Sequence, residues 1–151
     1  MTVPIDRLRP RAARCGCAAR EFAGAAVRAQ SRHLATVVTV TGVVDAVNAD
    51  RISGYLKRFV RAGQPLVLDL AGVNWFARPG LCLLYDLDDE CRAAGIEWAL
   101  VTGPPVSQAL DVFGDASAFV VVDSVPRALR CFAEAITARR RAVLPLLTRS
   151  A

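Results

Sequence analysis

The stretch NWFARPGLCLL, Asn74 to Leu84, carries the aromatic end of one apolar run into the start of another through Ala77-Arg78-Pro79-Gly80. Upstream, PLVLDLAGV (Pro65–Val73) is a short, nearly continuous apolar run, as a strand buried on both faces requires. Downstream, Leu84, Leu87 and Cys91 recur at helical spacing while Asp88, Asp89, Glu90 and Arg92 fall largely off that face, and Gly95 offers a stop. Proline suits the first turn of a helix, where its fixed φ is already helical and its missing N–H would have had no partner. The stretch is a strand-to-helix elbow, and the rest of the chain reads outward from it.

On the N-terminal side, Ile52, Leu56, Phe59 and Val60 mark an amphipathic helix with Asn48 as its cap and Gly63 as its stop. Before it, residues 22–29 (FAGAAVRA) and 34–40 (LATVVTV) are two strand-like runs around Gln30-Ser31-Arg32, a hairpin. On the C-terminal side, EWALV (97–101) is the next strand. Gly103-Pro104-Pro105 opens a third helix with Val106, Ala109, Leu110 and Phe113 on its apolar face and Gly114 at its end. AFVVV (118–122) is a further strand, and Ser124 caps a last helix whose face is Val125, Ala128, Leu129, Phe132, Ala133 and Ile136. Arg139-Arg140-Arg141 suits that helix's C-terminus, where the macrodipole favours positive charge. The order β-β-α-β-α-β-α-β-α predicts an α/β fold with a mixed, mostly parallel sheet and four helices. Residues 20–137 form the domain, flanked by a basic mobile extension at 1–19 and a basic tail at 138–151.

A length of 151 residues suits one domain, and 54% hydrophobic against 22% charged residues argues for a folded globule. The net charge of +5 is uneven. Residues 1–40 set seven arginines against Asp6 and Glu21, a net +5; residues 41–123 set six basic groups against eleven acidic ones, a net −5; residues 124–151 set six against Glu134, a net +5. Basic ends around an acidic body are not the single basic surface of a nucleic-acid binder. The apolar run Leu34–Val44 has 11 residues, short of the roughly 20 that span a bilayer. With no apolar segment after a basic start, no signal peptide is expected, and the reading is cytoplasmic. Five cysteines, three on apolar helical positions, are expected to be reduced thiols, with Cys15-Gly16-Cys17 an incidental pair.

Catalysis finds no residues to carry it. Asp86, Asp88, Asp89 and Glu90 crowd little more than one turn of a helix, where neighbouring residues point in different directions, so they read as a solvated face. A Ser-His-Asp set would have to recruit His33, the only histidine, without a Gly-x-Ser-x-Gly turn. Gly103-Pro104-Pro105 lacks the N–H groups and the following Gly-Lys of a phosphate cradle. No enzyme activity, metal or cofactor is expected.

Taken in order, Gly42-Val43-Val44-Asp45 entering the first helix, Leu68-Asp69-Leu70 in a strand, Trp75-Phe76 before an elbow closed by Gly80-Leu81, and Ser124-Val125-Pro126-Arg127-Ala128-Leu129 after the last strand resemble the STAS domain of anti-sigma factor antagonists over about residues 20–137. In that family the elbow commonly reads Asp-Ser-Ser-Gly or Asp-Ser-Thr-Gly, and a partner anti-sigma kinase phosphorylates the hydroxyl before the glycine. Here the four places are Ala77, Arg78, Pro79 and Gly80. Proline has neither the hydroxyl that would accept a phosphate nor the N–H that would greet one at a helix N-terminus.

The resemblance implies a single STAS domain acting by protein–protein contact. The expected partner is an anti-sigma factor of the serine-kinase type, bound by a surface of Asp45, Trp75, Phe76, Arg78, Pro79 and Gly80. Arg78 changes the electrostatics that such a partner meets. Control would then pass to protein level, to a ligand, to another hydroxyl such as Ser53, Ser107 or Ser124, or to the cysteines. The alternative is a STAS sensor or scaffold module for a small ligand, a nucleotide or another regulatory protein. No direct nucleic-acid or membrane contact is expected, and self-association is left open.

Overall fold

The structure, a computed structural model, describes residues 19–150, with side chains to residue 142. Cys15, Cys17 and nearly all of the N-terminal extension lie outside the described residues.

Six strands form one sheet in the order of the chain: β1 (Ala19–Phe22), β2 (Ala25–Ser31), β3 (Thr36–Val44), β4 (Leu66–Phe76), β5 (Trp98–Thr102) and β6 (Val121–Val122). β1, β2 and β3 pair antiparallel, whereas β3 to β6 run parallel. Four helices complete the fold: α1 (Ala49–Arg61), α2 (Arg78–Ala94), α3 (Pro104–Phe113) and α4 (Val125–Ser150). The order is the expected one with a strand added at the N-terminal edge. The run 22–29 is split there by a turn at Ala23-Gly24, whose residues both take positive φ. That conformation favours glycine and ends a strand.

Sequential strand order with right-handed crossovers forces α1, α2 and α3 onto one face of the sheet. Residues alternate along each strand to match. Val38, Val40, Leu66, Leu68, Leu70, Trp98 and Leu100 join the large core beneath those helices. Ala35, Val37, Val67, Ala99 and Val101 face the other way, where α4 covers them with Ala128 and Phe132. The continuous apolar runs of β4 and β5 follow from burial on both faces.

Three expectations are corrected. The run 118–122 supplies only two strand residues, because Ala116–Ala118 forms a 3-10 turn and Phe119 turns into the core. Helix α4 continues to Ser150, so Arg139–Arg141 lie within it and do not close it; Arg139 instead pairs with Glu97 ahead of β5. Asn48 precedes α1 but its side chain makes no capping bond. It is buried, and its Nδ2 donates to Phe22 O at 2.8 Å and Val43 O at 2.7 Å, while Oδ1 accepts from Asp45 N at 3.0 Å. One amide joins the β1–β2 turn, the end of β3 and the start of α1.

Removing that amide leaves buried backbone groups unpaired, each costing about 1–3 kcal/mol. Asn48→Ala should destabilise the domain by roughly 2–4 kcal/mol in urea unfolding. Asn48→Asp, which keeps the acceptor but loses the donors, should rescue less than half of that loss. A midpoint unchanged by Asn48→Ala would contradict this role.

Candidate functional site

The elbow owes its place to two irregularities in the pairing of β3 with β4. Thr39 lies opposite Asp69 and Thr41 opposite Gly72; Gly42 then lies opposite Val73, and Val43 opposite Trp75. β4 therefore carries two extra residues, and each bulge re-aims the side chains after it. Asp69 supports the first bulge by accepting from Ala71 N at 3.0 Å. Gly72 permits it, since a Cβ there would lie 2.7 Å from Thr41 Cγ2. The second bulge turns Phe76 into the core and leaves Trp75 outside, 62% exposed. The two aromatic neighbours have opposite uses.

Beyond Phe76 the chain is pinned by Ala77 N donating to Val44 O at 2.9 Å. α2 begins at once, with Ala77 extended, Arg78 and Pro79 in the first turn and no side-chain cap. Gly80 is buried against the ring of Phe76. A Cβ there would lie 2.6–2.9 Å from three ring carbons, so only glycine lets α2 start this close to β4. Asp45 follows directly after Val44, whose strand partner is Phe76, so it stands at the same end of the sheet as the elbow. Its Oδ1 accepts from Val47 N at 3.0 Å, and its backbone oxygen receives Ala49 N at 2.9 Å. Asp45 thus shapes the turn into α1 and is half-buried.

All six residues expected from the sequence gather where β3 and β4 end. Trp75 and Arg78 are exposed, Asp45 and Pro79 half-buried, and Phe76 and Gly80 form the floor. The structure adds a residue the periodicity misassigned. Phe113, expected on the core face of α3, is 56% exposed, and its ring lies 4.8 Å beneath the Arg78 guanidinium carbon. Val112 beside it is 71% exposed. Two adjacent large apolar residues before Gly114 cannot both face the core, and that doublet is the signal in the sequence. The arginine is held out over an aromatic ring, a contact worth about 0.5–1 kcal/mol at an exposed site. No acidic residue stands in the first turn of α2 and, among the described residues, no carboxylate pairs with Arg78. The positive end of the helix dipole and a fixed cation therefore coincide at the elbow.

The other candidate control points sit elsewhere. Ser53 is buried, the Ser107 hydroxyl donates to Thr102 Oγ1 at 2.9 Å, and Ser124 Oγ accepts from Arg127 N at 3.3 Å. Cys82 and Cys131 are exposed, which departs from their apolar spacing. Cys91 is buried, and burial together with Asp88 and Glu90 pushes its thiol up to about 11, leaving it protonated and unreactive at neutral pH. Asp88 accepts from Trp98 Nε1 at 3.0 Å and Arg92 Nη2 at 2.7 Å. Among the described residues no cluster of His, Cys, Asp or Glu is arranged to hold a metal, and no helix is long and apolar enough to cross a membrane.

Gly80→Ala should lower stability by about 1–3 kcal/mol through overpacking on Phe76. Trimming the ring in the double variant Gly80→Ala/Phe76→Leu should cost less than the two single changes added together, as contacting residues do in a double-mutant cycle. Strict additivity in urea unfolding would show that the two side chains do not meet.

Comparison with known proteins places this geometry. The model of the STAS domain family matches residues 26–126. Osmosensory protein A of Mycobacterium tuberculosis (strain ATCC 25618 / H37Rv) is 46% identical over 142 residues, covering 91% of this chain and 90% of that protein. A crystal structure of an anti-sigma factor antagonist from Mycobacterium paratuberculosis has a TM-score of 0.66 at 22% identity, over 72% of this chain and 94% of that one. The anti-sigma factor antagonist SpoIIAA in its unphosphorylated form has a TM-score of 0.53 at 15% identity, over 76% of this chain and 97% of that one. At those identities the two structures speak for the fold, and it is the family model, matched from β2 to the first turn of α4, that shows the chain to belong to the STAS domain family.

Proposed function

We propose that the chain is an anti-sigma factor antagonist or antagonist-like regulator that binds a kinase-type anti-sigma factor through the elbow and works without the family's phosphoswitch. The observation that carries this reading is the occupant of the hydroxyl position: Pro79, locked into the first turn of α2 beside an outward-facing Arg78. A kinase partner that docks there finds the strand-to-helix shape but no oxygen to phosphorylate. The complex is then ended by dilution or competition, and the chain acts by its amount. Such work takes place in the cytoplasm and needs neither catalysis nor a cofactor. The name of the mycobacterial relative makes osmotic conditions the first stimulus to test.

Specificity follows from charge. The elbow presents a cation on a helix N-terminus next to Trp75, Phe113 and Val112, so a matching partner offers a carboxylate beside an apolar pocket. A partner shaped for a neutral hydroxyl is disfavoured by the unpaired guanidinium.

A second reading rests on a cleft of about 380 Å³ at the other end of the sheet, with Trp98, Val120 and Phe132 among its apolar walls and Asp88, Arg92 and Glu97 among its polar lining. It favours a module that holds a small, largely apolar ligand. Native mass spectrometry of the purified chain decides for it if a bound species co-purifies.

Calorimetric titration against each kinase-type anti-sigma factor of the same organism tests the first reading. Micromolar or tighter binding is expected with one of them, and Arg78→Glu should weaken it roughly tenfold or more. With that kinase and radiolabelled ATP, no label should appear within residues 74–84. Binding indifferent to Arg78→Glu, or label in that segment, would overturn the proposal.

A further inference from the structure

The outer surfaces of α1 and α2 carry opposite charge. Both helices run back from the ends of the parallel strands β3 and β4, so they lie parallel to one another on the same face of the sheet, in contact along their length. On α1 the buried residues are Ala49, Ile52, Ser53, Leu56 and Val60, which leaves Arg51, Gly54, Arg58 and Arg61 aligned at helical spacing on the exposed side. On α2 the buried residues include Leu83, Leu84, Leu87 and Cys91, and the exposed side presents Asp86 and Asp89. Lys57 and Glu90 meet at 3.8 Å in the seam between the helices. Among the described residues, none of Arg51, Arg58, Arg61, Asp86 and Asp89 has an ion-pair partner.

Gly54 is the second observation. It stands in the middle of α1 and at the centre of the basic stripe. A glycine inside a helix costs about 1 kcal/mol relative to alanine. Nothing within the molecule asks for it, since a Cβ there would meet no atom within 4 Å. Its backbone is ordinary helix, without the positive φ of Gly24, Gly42, Gly63 and Gly95. A small residue on an exposed helix face allows the backbone of another helix to come close.

We infer that this face binds a second copy of the chain, with α1 of one protomer laid against α2 of its partner around a two-fold axis that runs along the helix pair. A rotation about that axis places the basic stripe of each copy over the acidic stripe of the other, so the surface is complementary to itself, as a two-fold interface must be. Arg51 and Arg58 of one protomer then face Asp86 and Asp89 of the other, twice, and Gly54 sets the closest approach. The competing arrangement, α1 on α1, would set arginines against arginines. At 1.5 Å per residue the two helices are about 20 and 26 Å long, so the face is smaller than the roughly 1,600 Å² of a standard interface. The dimer is accordingly weak and sensitive to salt.

Sedimentation velocity of the full chain tests this. A monomer–dimer equilibrium is expected at about 0.05 M salt, loosening at about 0.5 M as the Debye length shrinks. Arg51→Glu/Arg58→Glu and Asp86→Arg/Asp89→Arg should each raise the dissociation constant roughly tenfold or more. Mixed one to one, the two charge-reversed chains should form a heterodimer, because every contact then joins opposite signs again. Gly54→Leu should weaken the dimer without loss of monomer stability. A monomer under all conditions overturns the inference. A dimer unmoved by either reversal, or reversed chains that stay apart when mixed while both retain native circular dichroism, overturns it equally.

Discussion

The parallel pairing of β3 with β4 is the constraint on which the rest depends. Without interruption, the alternation of β4 would place residues two apart on the same face to the strand's end. Two bulges break it, so that Leu66, Leu68 and Leu70 and then Val73 and Phe76 all reach the same core. The cost of each bulge is met locally. Asp69 takes the N–H of Ala71, Gly72 makes room for Thr41, and Gly103, whose Cβ would lie 2.8 Å from Ala71 O, lets the start of α3 settle over the first bulge. The second bulge delivers Phe76 beneath Gly80 and fixes where α2 begins. Trp75 is outside as a consequence, displaced by a backbone irregularity and not by its own chemistry.

Much of this was legible in the sequence because much of it is periodic. The runs 65–73 and 98–101 are apolar except for Asp69, and only strands covered on both faces need that. The helices show their buried faces at three- and four-residue spacing. Gly95 reads correctly as a stop because it takes φ near 69°, which few side chains tolerate. The readings that failed are those where side chains answer to distant backbone. Asn48 has the look of a cap, yet its amide is consumed by Phe22 and Val43 carbonyls that local sequence cannot bring into view. Phe113 fits the period of α3, but the helix ends beside α2, and a guanidinium covers the ring where core was expected. The strand expected at 118–122 is cut back to Val121–Val122, because the Asp115 carboxylate accepts from both N–H and O–H of Ser117 and winds a 3-10 turn over Ala116–Ala118.

At the candidate site the same division holds. The residues were legible because the elbow is contiguous in sequence and lies between recognisable elements. Their roles were not, since which of Trp75 and Phe76 faces the core is decided by the bulge at Asn74 ahead of them, and Arg78 draws its position from a residue 35 places further on. The physical character of the site follows from the combination. A phosphorylatable elbow uses the helix N-terminus to welcome an added negative charge. This one places a permanent positive charge on that terminus, where it is mildly unfavourable for the isolated helix. A cation kept there at a small cost in stability makes sense if something acidic meets it.

Among the described residues, several glycines are explained by the fold and Gly54 is not. Gly80 and Gly103 are squeezed by Phe76 and Ala71, and Gly42 would strike Gly24 O at 2.4 Å. Each is a condition of the fold. Gly54 is surrounded by open space in the middle of a helix, with arginines three residues before and four residues after it. There the isolated molecule gains nothing and gives up about 1 kcal/mol of helix stability. A residue that weakens its own helix, on the one face of α1 that the core leaves uncovered, is best accounted for by contact with a backbone outside the protomer. The acidic stripe on the neighbouring helix supplies the charge such a contact would need, and the two-fold operation brings it there without any further partner.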